Sequence, residues 1–187
     1  TLNYDTLFEQ AASEEKFTVI DGFTFSNPRE FNGKYFDYDE IEYYKSEIEE
    51  DQIGELYDNQ KKSIKDSLKM GIILGKIPKS ITDTSFINNL ETFGYTKSKI
   101  DEKKFNEIDE IFTEKKHSEL YATACIYIYR DILIFKKKSK IVGIAKICFG
   151  CRQSYIIGTD KDDSDFGQCG GFENLEAMLS IYKKSLQ

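Results

Sequence analysis

Residues 122–149 decide the fold class of this chain. They read ATACIYIYRDILIF over Ala122–Phe135, KKKSK over Lys136–Lys140 and IVGIAKICF over Ile141–Phe149. Both apolar stretches are rich in β-branched and aromatic residues, which favour strands, and the charged run between them is typical of a solvated turn. The sequence therefore predicts a β-hairpin here.

The residues that follow extend this hairpin and close the chain with a helix. Tyr155–Ile157 is predicted as a third strand, so that residues 115–187 form a cysteine-bearing antiparallel β-meander. Apolar residues then recur at helical spacing, which predicts a C-terminal helix. They are Phe172, Leu175, Met178, Leu179 and Tyr182.

Residues 1–114 are predicted to be mainly helical, with one β-hairpin around residues 17–25 at Asp-Gly. A helix is predicted from about Asp51 to Met70, and the aromatic and acidic residues 31–50 are interpreted as irregular with a short helix. Helices followed by a meander and a last helix indicate an α+β fold. A length of 187 residues fits a single domain, 1–187.

Charge is unevenly distributed along the chain, whose net charge is −7. Residues 1–60 contain sixteen Asp or Glu and four Lys or Arg. Such a surface repels phosphates, which argues against a nucleic-acid partner, and it suits a basic protein partner. The predicted partner-binding residues are the acidic and aromatic ones of this region: Tyr38, Glu40, Glu42, Tyr43, Tyr44, Glu47 and Glu49.

Four cysteines are the most informative residues for chemistry: Cys125, Cys148, Cys151 and Cys169. Three interpretations stay open. They form structural disulfides in an exported protein, or they are free thiols. Alternatively Cys148, Cys151 and Cys169 bind Zn²⁺ with the single histidine, His117. A redox C-x-x-C is disfavoured, because Arg152–Ile157 favours a strand where that chemistry needs a helix.

A zinc-dependent hydrolase or deaminase is the alternative function. His117-Ser118-Glu119 followed by Cys148-x-x-Cys151 resembles the zinc-deaminase signature, which implies that His117 and the two cysteines hold zinc and that Glu119 moves the proton. The sequence departs from that pattern, since Ile147 stands where the motif has proline and a strand is predicted after Cys151.

The last third of the chain also resembles a known family. The matching features are Cys125, the strand Arg130–Phe135, the lysine-rich turn, Ile147–Cys151, and the glycine-bearing loop with Cys169 before a leucine-rich helix. They resemble a family of bacterial proteins with an "ICFxC" hairpin, over roughly residues 115–180. Many members of that family look exported or lipid-anchored. The resemblance implies a periplasmic or envelope location and carries no activity.

These observations favour a non-catalytic binding protein of the bacterial envelope, of immunity or inhibitor type, without a cofactor; a cytoplasmic location is the alternative. No run approaches the ~20 apolar residues of a membrane span. Because the sequence begins at Thr1 and not at Met, we also consider an upstream segment, such as a lipid anchor on an absent N-terminus.

Overall fold

The hairpin predicted around the lysine-rich turn is present. The structure, a computed structural model, describes residues 33–59, 62–115 and 125–183. Strands β3 (Asp131–Lys137) and β4 (Lys140–Cys148) pair antiparallel on either side of Lys138 and Ser139. The predicted hairpin around residues 17–25 lies outside the described residues.

The turn itself has the geometry of a two-residue hairpin loop. Lys138 and Ser139 both have positive φ, 48° and 63°, as the turns that match strand twist require. The Asp39 carboxylate accepts a hydrogen bond of 3.0 Å from the Lys138 backbone N–H. Positive φ is unfavourable for a non-glycine residue, and the hydrogen bond to Asp39, which is distant in the sequence, stabilises it at Lys138.

Five strands form one antiparallel sheet in the order β2-β1-β3-β4-β5. The other strands are β1 (Glu40–Ser46), β2 (Tyr95–Lys99) and β5 (Gln153–Ile157). The meander β3-β4-β5 and the mixed α+β class are as predicted. The described elements belong to one unit that spans residues 34–187.

The structure differs from the prediction at residues 31–50, because residues 40–46 form β1. Helices cover both faces of the sheet, so β1 has buried side chains on both of its faces. Tyr43 packs into the core on one face and Tyr44 into the core on the other. A strand buried on both faces lacks the alternation that marks a half-exposed strand. The half of the chain that was predicted mainly helical therefore contributes two strands, β1 and β2.

Each face of the sheet is covered by its own set of helices. These are α1 (Glu50–Asp58), α2 (Ile64–Ile73), α3 (Ile87–Leu90), α4 (Phe105–Ile111) and α5 (Gly171–Lys183). Helices α1, α2 and α3 pack on the face that carries Tyr44, Ile132 and Ile144, and α4 and α5 pack on the opposite face. No helix of the described residues is long and apolar enough to cross a bilayer.

Helix boundaries follow capping signals. The single helix predicted from Asp51 to Met70 is two helices, because Ser63 caps α2 by accepting a hydrogen bond from the Asp66 N–H. Helix α2 also continues through Gly71 to Ile73. Helix α3 is only four residues long, and Gly94, at φ +89°, ends the 3₁₀ turn after it.

The strand predicted from residue 122 begins at Asp131. Residues 125–130 lie outside the strands, although the Tyr129 N–H donates to the Ile73 carbonyl over 2.8 Å. This segment therefore ties the start of β3 to the end of helix α2. Residues 122–124 lie outside the described residues.

Gly143 in β4 is required by close packing. A Cβ atom at this position would overlap the ring of Phe36, which packs tightly on Phe135 in the core between the sheet and α4. We expect Gly143→Ala to lower the free energy of unfolding by about 1–2 kcal/mol, since the core must be overpacked to accept the methyl group. Urea unfolding followed by circular dichroism measures this difference.

Gly54 in α1 provides the matched control, because a Cβ atom there meets nothing within 4 Å. The same substitution, Gly54→Ala, is expected to raise stability by roughly 0.5–1 kcal/mol through helix propensity. Equal effects of the two substitutions would contradict the packing argument.

Candidate functional site

The side chains of β1 that were predicted to bind a partner interact instead with other residues of the fold. The Glu42 carboxylate is buried and pairs with Lys97 and Lys136, each over 2.6 Å. These two ammonium groups lower the pKa of Glu42, although burial acts in the opposite direction. Glu40 faces Lys99 at 3.4 Å.

The tyrosines of that set also pack and form hydrogen bonds within the fold. Tyr43 donates a 2.5 Å hydrogen bond to the buried Asp131 carboxylate, and Tyr44 packs on the other side of the sheet. Tyr38 is half-buried and donates to Asp109 over 2.8 Å. Burial and the Asp131 charge raise the pKa of Tyr43. The structure therefore places none of these three rings on an open binding face.

Glu47 and Glu49 are the members of the predicted set that stay exposed. Glu49 also caps helix α1, where its backbone N–H donates to the Gln52 side chain over 3.0 Å. Two exposed carboxylates on one short connection do not make a site by themselves. The acidic binding face predicted from the sequence is mostly a set of paired groups.

The predicted cysteine set divides into three environments. Cys125 and Cys151 form a disulfide with a Cα–Cα distance of 5.8 Å. Cys148 is a buried thiol next to Cys151, and Cys169 is an exposed thiol on the loop before α5. The disulfide interpretation is thus realised for one pair, and the free-thiol interpretation for the other two residues.

The predicted zinc ligands do not form a group among the described residues. No set of three His, Cys, Asp or Glu that could hold a metal ion occurs within residues 33–59, 62–115 and 125–183. His117 and Glu119 lie outside these ranges. The sulfur of Cys151 is bonded to Cys125, and strand β5 follows where the deaminase pattern has a helix. The zinc hypothesis therefore requires the reduced chain.

A cleft of about 610 Å³ lies between helices α4 and α5 and the loop 165–169. Its lining has an apolar part and a polar part, called the rim. The apolar residues are Ile111, Phe166, Ala177, Met178 and Ile181. The rim is lined by Lys104, Glu107, Glu110, Lys115, Asp165, Gln168, Cys169 and Asn174.

The aromatic core positions the two sides of this cleft. Phe166 is buried, packs against Phe112 at a tilt with ring centres 4.8 Å apart, and contacts Phe172 at the start of α5. Gly167, at φ +75°, lets the chain pass over the Phe172 ring, where a Cβ atom would collide. The loop is thereby anchored at its centre while its polar residues remain at the cleft.

Negative charge concentrates at this end of the molecule. Burial raises the pKa of the Asp163 carboxyl, and the adjacent Asp162 charge raises it further. The Tyr35 hydroxyl, which lines the cleft, donates to the Asp162 carbonyl over 3.0 Å. Burial raises the pKa of Tyr35, and the charges of Asp163, Asp162, Glu114 and Asp165 add to that rise. The field here favours a cation.

Gln168 adds a directional acceptor to this field. Its side-chain N–H donates to the Asp165 carboxylate over 3.1 Å, which fixes the orientation of the amide. The amide oxygen is buried and has no hydrogen-bond partner among the residues that the structure describes. A buried acceptor without a donor is costly, so a donor that reaches this oxygen would be stabilising.

The sequence carries only a weak signal for this site. Residues 160–165 carry four aspartates in six positions, a pattern typical of a solvated turn. Helix α4 supplies Glu107 and Glu110 from a distant segment, and no spacing rule connects the two. Comparison of the chain with protein-family models, curated proteins and solved structures found no match.

Proposed function

We propose that this protein is a non-catalytic binding protein of the bacterial envelope that holds a basic protein partner in the cleft between α4 and α5. The binding class and the basic partner are those expected from the sequence. The surface is a different one, because the residues of β1 are engaged within the fold.

One observation carries the proposal: Gln168, whose buried amide oxygen has no hydrogen-bond partner among the described residues, lines a cleft whose rim carboxylates outnumber its lysines. Lys104 is already paired with Glu107 over 2.6 Å. A volume of about 610 Å³ accommodates a side chain of arginine or lysine size with its neighbours. The apolar lining residues contact the aliphatic stem, and the rim carboxylates accept from the charged head.

The disulfide supports the envelope part of the proposal. Disulfides persist in oxidising compartments, such as the periplasm, and are rare in the reducing cytosol. Cys125 and Cys151 are 26 positions apart, so the bond closes a loop long enough to stabilise the fold of an exported protein.

The test measures binding of a fluorescein-labelled hexalysine peptide by fluorescence anisotropy, with hexaglutamate as the opposite-charge probe. We expect hexalysine to bind and hexaglutamate not to bind. The double variant Glu110→Gln, Asp165→Asn is expected to weaken hexalysine binding about tenfold, because it removes two rim charges without changing side-chain size. Affinity should also fall between 50 and 200 mM salt.

The matched control is Glu47→Gln, Glu49→Gln, which removes the same charge from an exposed segment outside the cleft. It is expected to change affinity less than twofold. If both double variants weaken binding equally, the peptide senses only net charge and the cleft is not the site.

A further inference from the structure

Three sulfur atoms meet at the turn between β4 and β5. Cys148 and Cys151 are 4% and 2% exposed and pack with Tyr129 in one small cluster. The Cys148 sulfur accepts a hydrogen bond of 3.4 Å from the Ile128 N–H. The Cys151 sulfur lies 3.3 Å from the Ile126 carbonyl oxygen and is bonded to Cys125. A thiol is thus held beside a disulfide.

The turn brings Cys148 and Cys151 to the same side of the chain. The Arg152 N–H donates to the Phe149 carbonyl over 3.1 Å, and Cys148 pairs with Gln153 across the turn. A C-x-x-C spacing is one at which a disulfide closes in redox proteins. Cys151 therefore has two cysteines beside it: Cys125, to which it is bonded, and Cys148, a reduced thiol in the same packed cluster.

A buried amine, that of Lys146, lies against the same cluster. Lys146 precedes Cys148 by two positions in β4, so both side chains lie on one face of the sheet. Its Nζ lies 4.5 Å from the centre of the Tyr129 ring, against which Cys148 packs. No described carboxylate forms an ion pair with it.

We propose that Cys125, Cys148 and Cys151 form a thiol–disulfide exchange site in which Cys148 displaces Cys125 from Cys151. The Cys148 thiol loses its proton to solvent, and the thiolate attacks the Cys151 sulfur. The Cys148–Cys151 bond forms, the Cys125–Cys151 bond breaks, and the electron pair leaves on Cys125, which takes up a proton. One disulfide and one thiol remain, so no oxidant or reductant is consumed.

The product differs from the starting state in what it presents to solvent. Cys125 is exposed and Cys148 is buried. Exchange therefore moves the reactive thiol from the interior to the surface, where it can form a mixed disulfide or be alkylated.

The experiment traps the exposed thiol in the folded protein with a maleimide at pH 8. A Cys169→Ser background removes the exposed thiol that could attack another molecule. After acid quench, trypsin without reductant separates peptide 117–130, which contains Cys125, from peptide 147–152, which contains both other cysteines. We expect peptide 117–130 to carry the maleimide, while peptide 147–152 lacks two hydrogens relative to its dithiol form.

Cys148→Ser in the same background is expected to slow labelling of Cys125 at least tenfold, and Cys148→Ala serves as a second variant of different polarity. Labelling of Cys125 without the internal disulfide in peptide 147–152 would overturn the proposal. Equal labelling rates with and without Cys148, or a Cys125 that stays unlabelled, would overturn it too. The peptide masses of the Cys169→Ser protein decide the question even if the Cys148 variants unfold.

Discussion

The double variant Cys125→Ser, Cys151→Ala should lose about 3–4 kcal/mol of unfolding free energy. The disulfide joins positions 26 apart, and releasing a loop of that length raises the entropy of the unfolded chain by this amount in the chain-entropy account. Both cysteines are replaced because a single substitution would leave a thiol able to pair with Cys148. Urea unfolding followed by circular dichroism gives the difference.

Reductant provides an internal check on this prediction. It should lower the stability of the unaltered chain to the level of the double variant and leave the variant unchanged. Cys169→Ser is the control, because that thiol is exposed and unbonded, and its stability should match that of the unaltered chain. A loss below about 1 kcal/mol in the double variant would show that the disulfide does not restrain the unfolded state.

Between pH 6 and pH 9 the stability of the chain should rise by about 2–3 kcal/mol, and Lys146→Met should abolish the rise. Lys146 is fully buried, and burial lowers its pKa to about 7, whereas in the unfolded chain it titrates near ~10.4. Between these two values the unfolded state binds more protons than the folded state. Stability therefore increases with pH across that window, as the neutral amine becomes the folded form.

Methionine keeps the length of the side chain and removes the titration. The hydrogen bonds from Lys146 Nζ to the carbonyls of Gly75 and Ile77 are lost, which lowers stability at every pH. The measurement is urea unfolding at pH 6, 7, 8 and 9. It stops there because burial raises the pKa of Tyr95, and tyrosines of this kind lower stability above about pH 10.

The exposed Lys79 gives the matched control. Lys79→Met should retain the full rise between pH 6 and pH 9. A rise that survives in Lys146→Met would mean that the amine is protonated in the folded state and that other groups cause the pH dependence.

Local signals in the sequence predicted local structure. The β3–β4 hairpin, the third strand and helix α5 follow from apolar patterning that is complete within each segment. The break before α2 also had a local signal, Ser63-x-x-Asp66, which the longer apolar pattern obscured. These elements were predictable because each is stabilised largely by its own residues.

The acidic face could not be judged from the sequence, because pairing is a tertiary property. Glu42 meets Lys97 from β2 and Lys136 from β3, and both lie far away along the chain. Sequence composition counts these charges as surface charge, whereas the sheet register brings them into contact. The same limitation hid the cleft, whose carboxylates come from α4 and from the loop before α5.

The position of β1 in the sheet has a consequence for the order in which the chain can fold. β1 pairs with β2 on one side and with β3 on the other, and Lys45 and Asp131 are neighbours although 86 positions separate them. Closing so long a loop is entropically costly and slows folding. During synthesis one edge of β1 therefore stays unpaired until residues 131–137, which form β3, have left the ribosome. A fragment that ends before these residues lacks β3, the strand that completes the middle of the sheet.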